Sequence, residues 1–179
     1  MHGIGLNLST MENQESDLFS AAVLTISDKG SVGERIDTAG PAVSKILVDA
    51  KFNISVENLV PDDRELIVEF LCDQSDRAKV NLVVTTGGTG LSQRDITPQA
   101  TEEVIDFRVL GMEEAMRSGS LISTPLSMLS RLVVGVRRNT LIINLPGSER
   151  GASENLSIVV PVLHHACAQL LGIDETAGH

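Results

Sequence analysis

Three short runs fix most of what this chain can become. "SAAVLTIS" at 20–27, "VNLVVTT" at 80–86 and "TLIINL" at 140–145 are apolar and rich in β-branched residues. Such runs read as strands, and the first, apolar on both sides, has to be covered on both faces. Each run also stops abruptly. The first ends on Ser27–Asp28, the second on Thr86–Gly87, and the third on Pro146–Gly147–Ser148.

Helical patterns separate these strands. Pro41 opens one that runs to about 49, with proline in the first turn where its missing N–H costs least. A fourth strand is predicted over 53–60, followed by a helix in "PDDRELIVEFLCDQ" with Leu66, Ile67, Phe70 and Leu71 on one face. Asp62 or Asp63 is its expected N-cap, and Glu65 stands where a capping-box acid would stand. Thr97–Pro98 predicts another helix start, with Thr97 as N-cap and Pro98 at N1. Further helices are expected over 111–122 and 152–171, the last kinked at Pro161, with a short helical turn at 126–129. The runs 132–136 and 140–145 predict a hairpin turning at Arg138–Asn139. Strands alternating with helices imply an α/β fold: a three-layer α-β-α sandwich whose sheet is mostly parallel, with an antiparallel edge hairpin. One domain is expected over 19–172, between a polar tail, 1–18, read as disordered, and a short tail at 173–179.

Charge and composition exclude several functions. A formal net charge of −10 repels nucleic acid and anionic membranes, so an anionic ligand must be held by local groups. With no Trp, no Tyr and four Phe, the chain has few stacking platforms for single-stranded nucleic acid. Cys72 and Cys167 are far apart and read as buried helical thiols rather than a disulfide framework or a zinc site. A reducing, cytoplasmic compartment fits them. No apolar run approaches the roughly 18 residues of a membrane span, and the first 20 residues lack the pattern of a secretory signal.

The chemistry concentrates in "VVTTGGTGLSQRDITPQA" at 83–100. In an open parallel sheet, ligands bind beyond the carboxyl ends of the strands, and this loop leaves a strand there. Its glycines let the backbone approach a ligand, and successive N–H groups can form an anion nest. There is no terminal Lys, so it is not a P-loop, and no G-x-G-x-x-G, so it is not a dinucleotide fingerprint. On residue pattern alone Asp95 has two readings: a charge favouring the helix that begins near Pro98, or a Mg²⁺ ligand beside a phosphate. On the same pattern Asp62 reads first as a helix cap, while Ser148 is open to a capping or a pocket role. His164 and His165 lie mid-helix without ligand spacing and read as packing or surface residues.

Taken together, "LTISDKGSVGERIDTAGP", "VPDDRELI", "VVTTGGTGLSQRDITPQAT" and "IINLPGSERGASENLSIVVPVLHHA" resemble the MogA/MoaB-like molybdopterin adenylyltransferases and the G domain of gephyrin-type fusions. The likeness covers 19–172. It implies transfer of the adenylyl group of MgATP to the terminal phosphate of molybdopterin, with release of pyrophosphate. Asp62 and Asp95 match the catalytic acidic pair, and the resemblance implies them as Mg²⁺ ligands. Thr86, Gly87, Gly88, Thr89 and Gly90 would hold phosphates, and Ser27, Asp28, Gly147 and Ser148 would line the same pocket. The resemblance further implies a homotrimer and, as a candidate partner, the molybdate-insertion protein. The alternative is a non-catalytic molybdopterin-binding or carrier protein on the same fold. Two departures stand out: Glu149 replaces the proline that commonly follows the PGS motif, and Arg94 is the loop's sole cation.

Overall fold

The architecture is seen in a computed structural model that describes residues 19–173. The expected tail 1–18 and the residues after 173 lie outside the described residues. Six strands form one sheet in the order β2-β1-β3-β6-β5-β4. Strands β1 (Phe19–Ile26), β2 (Phe52–Val60), β3 (Leu82–Thr86) and β6 (Thr140–Leu145) run parallel, while β5 (Val134–Arg137) is antiparallel to β6 and to β4 (Phe107–Arg108). The hairpin is present as expected, with Arg138 in the left-handed region at φ 53°. Its second strand, β6, lies inside the sheet, so β5 and β4 make the mixed edge.

The period-2 rule of strands sorts the core into two layers. On one face Phe19, Ala21, Val23, Leu82, Val84, Leu141 and Ile143 meet α2 (Ala39–Asp49), α5 (Leu110–Leu121) and α6 (Glu149–Leu170). On the other, Ala22, Leu24, Ile26, Val83 and Ile142 meet α3 (Arg64–Cys72) and α4 (Thr97–Val104). A buried polar link joins that second layer: Asn144 donates through Nδ2 to Thr85 Oγ1 and Thr101 Oγ1, both at 3.0 Å. The strand register aligns Ile26 with Val60, Thr25 with Thr86, and Thr86 with Leu145, so the four parallel strands end at one edge.

Local structure differs from the sequence-based expectation in several places. The glycine-punctuated loop after β1 contains a short helix, α1 (Asp28–Ser31), capped by Ser27 Oγ accepting from Gly30 N at 3.0 Å. Asp63, not Asp62, caps α3, accepting from Leu66 N at 3.1 Å. That shift of one residue puts Leu66 at N3, so Glu65 completes no capping box. Thr97 does not cap α4; its hydroxyl donates instead to Gly87 O at 2.9 Å, and the helix opens after Ile96 without a side-chain cap. The helix α6 runs through Pro161, and α3 continues into a π-helical turn, Asp73–Ala78. The two-residue β4 carries too little sequence to show a period.

The thiols of Cys72 and Cys167 are free and helical, Cys167 buried and Cys72 half-buried. Burial pushes the Cys167 thiol up to about 12, which leaves it protonated and unreactive. His164 packs its ring against Phe19 and Phe52, with Nε2 2.6 Å from Ala50 O. Among the described residues no helix is long and apolar enough to cross a membrane.

Candidate active site

The shared edge of the four parallel strands is where side chains gather. Ser27 leaves β1, Asp62 leaves β2, the glycine loop leaves β3, and Gly147–Ser148 leave β6. The loop is pinned by its own backbone: Gly87 N donates to Leu145 O at 3.1 Å, and Thr97 N to Gly88 O at 3.2 Å. Gly87 (φ 106°) allows no side chain, because a Cβ there would lie 2.1 Å from Ile26 O. A Cβ on Gly88 (φ 62°) would lie 2.3 Å from Thr97 Oγ1 and 3.1 Å from Asp62 Oδ1. Asp62 thus points one carboxylate oxygen at the bare backbone of the loop.

Two acids from adjacent strand ends are laced together. Asp28 N donates to Asp62 Oδ2, and Asp62 N donates to Asp28 Oδ1, each at 3.0 Å. Arg94 closes on Asp28 with Nε to Oδ2 at 2.9 Å and Nη2 to Oδ1 at 2.7 Å. This bidentate pair ties the loop to β1 and holds the Asp28 carboxyl below its usual range, Arg94 first and the Asp62 N–H second. Asp62 moves the other way. Burial raises its carboxyl, the Asp62-directed N–H of Asp28 offsets part of that, and the negative charges of Asp28 and Asp95 raise it further. Asp95 accepts from Ser92 N through Oδ2 at 2.8 Å.

Two compartments open on either side of the loop. The first, about 330 Å³, is lined by Ser27, Asp62, Asp95, Thr86 and Gly87 together with residues of the segment before α2. The second, about 560 Å³, is lined by Thr89, Gly90, Leu91, Leu126, Leu129 and Asn155 among others. Gly88, Asp95, Gly147 and Ser148 line both. The sites expected from sequence therefore divide. Ser27, Asp62, Thr86 and Gly87 face the first compartment, and Thr89 and Gly90 the second. Asp28 lines neither; its carboxylate is taken up by Arg94 and the Asp62 N–H. Thr86 turns its hydroxyl to Pro146 O at 2.8 Å, and Ser148 caps α6 by accepting from Gly151 N at 3.1 Å. Glu149 is exposed in the first turn of α6 and lines neither compartment, so it favours the helix rather than crowding a ligand.

Sequence reasoning missed Arg131. Its backbone N donates to Thr89 O at 3.0 Å, its Nε to Gly90 O at 2.7 Å, and its Nη2 to Asp95 O. One guanidinium thus fixes the far half of the glycine loop and the backbone of Asp95. Nothing in "SRLVVGV" beyond a lone cation before a strand marks this role.

The donor set suits a hard divalent cation. Among the described residues Asp62 Oδ1 and Asp95 Oδ1 accept no hydrogen bond, while their Oδ2 atoms are occupied. Burial, with the negative charges of Asp28 and Asp95 behind it, keeps the Asp62 carboxyl raised despite the nearby Arg94. Among the described residues no group of three or more His, Cys, Asp or Glu is placed to hold a metal ion by itself. Mg²⁺ commonly takes one or two carboxylates and completes its shell with phosphate oxygens and water.

Residues 22–165 match the family described as "Probable molybdopterin binding domain". The chain belongs to this molybdopterin-binding domain family. It is 40% identical over 153 residues to the molybdopterin adenylyltransferase of Helicobacter pylori, covering 84% of this chain and 86% of that one. It is 42% identical over 154 residues to the gephyrin of Dictyostelium discoideum, covering 80% of this chain and 21% of gephyrin, so that likeness concerns one segment of a much longer protein. The solved MoaB of Thermus thermophilus superposes with a TM-score of 0.83 at 46% identity, over 87% of this chain and 98% of that one.

Proposed function

We propose that this chain is a molybdopterin adenylyltransferase: it transfers the adenylyl group of ATP to the terminal phosphate of molybdopterin. The observation that supports the reading is the pair of compartments meeting at one glycine loop. A transfer between two phosphate-bearing substrates needs two pockets that present their phosphates to a common point, and Gly88, Asp95, Gly147 and Ser148 stand at that point. The names of relatives at about 40% identity agree with it.

In the reaction, an oxygen of the molybdopterin phosphate bonds to the α-phosphorus of ATP. The bond from that phosphorus to the bridging oxygen breaks, and pyrophosphate leaves with the electron pair. The nucleophile is already an anion, so no strong general base is needed, and positioning with charge neutralisation carries most of the rate. The N–H groups of the loop, whose Gly87 and Gly88 turn through positive φ, form the phosphate cradle. Ser148, at the start of α6, places a phosphate at a helix N-terminus. Asp62 Oδ1 and Asp95 Oδ1 would hold Mg²⁺, which supplies charge neutralisation to the phosphate oxygens when bound. Arg94 and Arg131 do not reach the substrates in this scheme; they hold Asp28 and the loop in place. The reading includes a homotrimer, for which exposed Ile122 and Met128 offer apolar surface outside the compartments. It also includes hand-over of the adenylated product to a molybdate-insertion protein.

The test is a pyrophosphate-release assay with molybdopterin, MgATP and purified protein. Release that requires both substrates and is lost in Asp62→Ala and Asp95→Ala supports the reading. Tight molybdopterin binding with no release would assign the chain instead to a non-catalytic carrier.

A further inference from the structure

The first compartment has an imbalance of charge. Its lining carries Asp37, Asp62 and Asp95, and its neighbour Asp28 adds a fourth acid. The two arginines nearest the glycine loop are already spent, Arg94 on Asp28 and Arg131 on loop carbonyls. One side-chain cation remains in the lining, Arg35. Among the described residues every other arginine donates a side-chain hydrogen bond or ion pair, and Arg35 donates none.

The segment that carries Arg35 is built to present it. At its start, Glu34 N and Arg35 N both donate to Lys29 O, at 2.9 and 3.2 Å. At its end, Asp37 takes Thr25 Oγ1 at 2.6 Å on Oδ2, and Ala39 N and Gly40 N at 3.0 Å on Oδ1. Asp37 is therefore consumed in tying the segment to β1 and α2, and does not answer the charge of Arg35. Between these anchors Arg35 and Ile36 stand at the mouth of the compartment, Ile36 85% exposed.

We infer that Arg35 is a phosphate-binding residue of the transfer reaction: its guanidinium engages phosphate oxygens of the substrate in the first compartment. This rests on the adenylyl-transfer reading and adds to it a contact outside the glycine loop. A planar guanidinium can grip two phosphate oxygens at once, which a lysine cannot reproduce. The chemistry is the same whether the phosphates belong to the nucleotide or to the pterin, and the kinetics tell the two apart.

The experiment compares wild type, Arg35→Ala and Arg35→Lys in steady-state pyrophosphate release, varying ATP and molybdopterin separately, with calorimetric titration of Mg-pyrophosphate alongside. Arg35→Ala is expected to raise KM for one substrate about 10- to 100-fold, the usual weight of a charged hydrogen bond. Arg35→Lys should recover part of that loss, and the melting temperature of both variants should match wild type, since the Arg35 side chain donates no hydrogen bond to the fold and its backbone bond to Lys29 O is kept. A rise in KM for ATP assigns the nucleotide phosphates, and a rise for molybdopterin the pterin phosphate. KM for both substrates and pyrophosphate affinity all within twofold of wild type would overturn the inference. If wild type itself released no pyrophosphate, the transfer reading would fail, while weakened Mg-pyrophosphate binding in Arg35→Ala would still uphold the contact; failure of wild type to bind it would count against both.

Discussion

The two compartments are built by different means. The first is cut into the carboxyl edge of the sheet, and its walls are the ends of β1, β2, β3 and β6, with Asp37, Asp62 and Asp95 in the lining. The second is assembled from pieces that the sheet does not align: Leu91 beyond the glycine loop, Leu126 and Leu129 of the 3₁₀ turn Pro125–Leu129, Leu132 before β5, and Asn155 on α6. The first is rich in charge and short of cations. The second has an apolar wall and takes its rigidity from behind, where buried Glu113 holds Arg108 and Arg117. A sheet edge can therefore supply phosphate chemistry, while the recognition of a ring system is left to loops that can vary.

Distorting the glycine loop that separates the compartments should have the largest effect. Gly87→Val drives a side chain into Ile26 O at a left-handed φ, and is expected to destabilise the fold by about 2–5 kcal/mol in urea unfolding. It should also abolish ligand binding on both sides of the loop. Removing the support of the second compartment comes next. Glu113→Gln removes the buried charge between Arg108 and Arg117, which keep Glu102 and the Leu132 carbonyl, with an expected loss of about 1–3 kcal/mol. Native-state hydrogen exchange should then show new opening around α5, while the amides of residues 87–90 remain protected.

Acid chemistry separates the compartments more finely. Asp95→Asn keeps the Ser92 contact but removes the charge, and should lower turnover about 100-fold or more with little change in melting temperature. The pH dependence of stability should carry both signs. Burial alone would raise the Glu113 carboxyl, yet Arg108, the Val134 N–H and Arg117 hold it below its usual range. Its stabilisation is therefore present at neutral pH and is lost as pH falls through the carboxylate range. Asp62 is shifted upward, so its ionisation opposes folding: its contribution is favourable when protonated at low pH and is lost as pH rises through its elevated value. Asp62→Asn should accordingly raise the melting temperature at neutral pH, with the gain vanishing in acid, and Glu113→Gln should do the reverse. The smallest effect belongs to the apolar wall. Leu126→Ser, at a residue 69% exposed, is expected to weaken binding of one substrate by about 1 kcal/mol without touching the fold.

That contrast also marks what the sequence makes legible. The first compartment follows from strand ends, and strand ends are visible as apolar runs that stop on Ser27–Asp28, Asp62 and Thr86–Gly87. The layers, the parallel core and the hairpin follow from the same runs. The division of labour between neighbours is not visible. "PDD" leaves either acid free to cap α3; Asp63 caps, while reciprocal bonds with Asp28, 34 residues away in sequence, hold Asp62 toward the loop. Thr97 looks like an N-cap, but its hydroxyl is drawn to Gly87 O by a contact ten residues away in sequence. Arg131, Glu113 and the walls of the second compartment depend on long-range packing, which leaves no period or motif to read.

If the two compartments bring two phosphate-bearing substrates to one loop for transfer, ATP carrying ³²P at the α-phosphorus, incubated with molybdopterin, Mg²⁺ and wild-type protein, reports it. The label is expected to move onto the pterin while unlabelled pyrophosphate is released, and Asp95→Asn is expected to stop both. Label that stays in ATP, or appears only as free AMP whether or not molybdopterin is present, would refute the transfer.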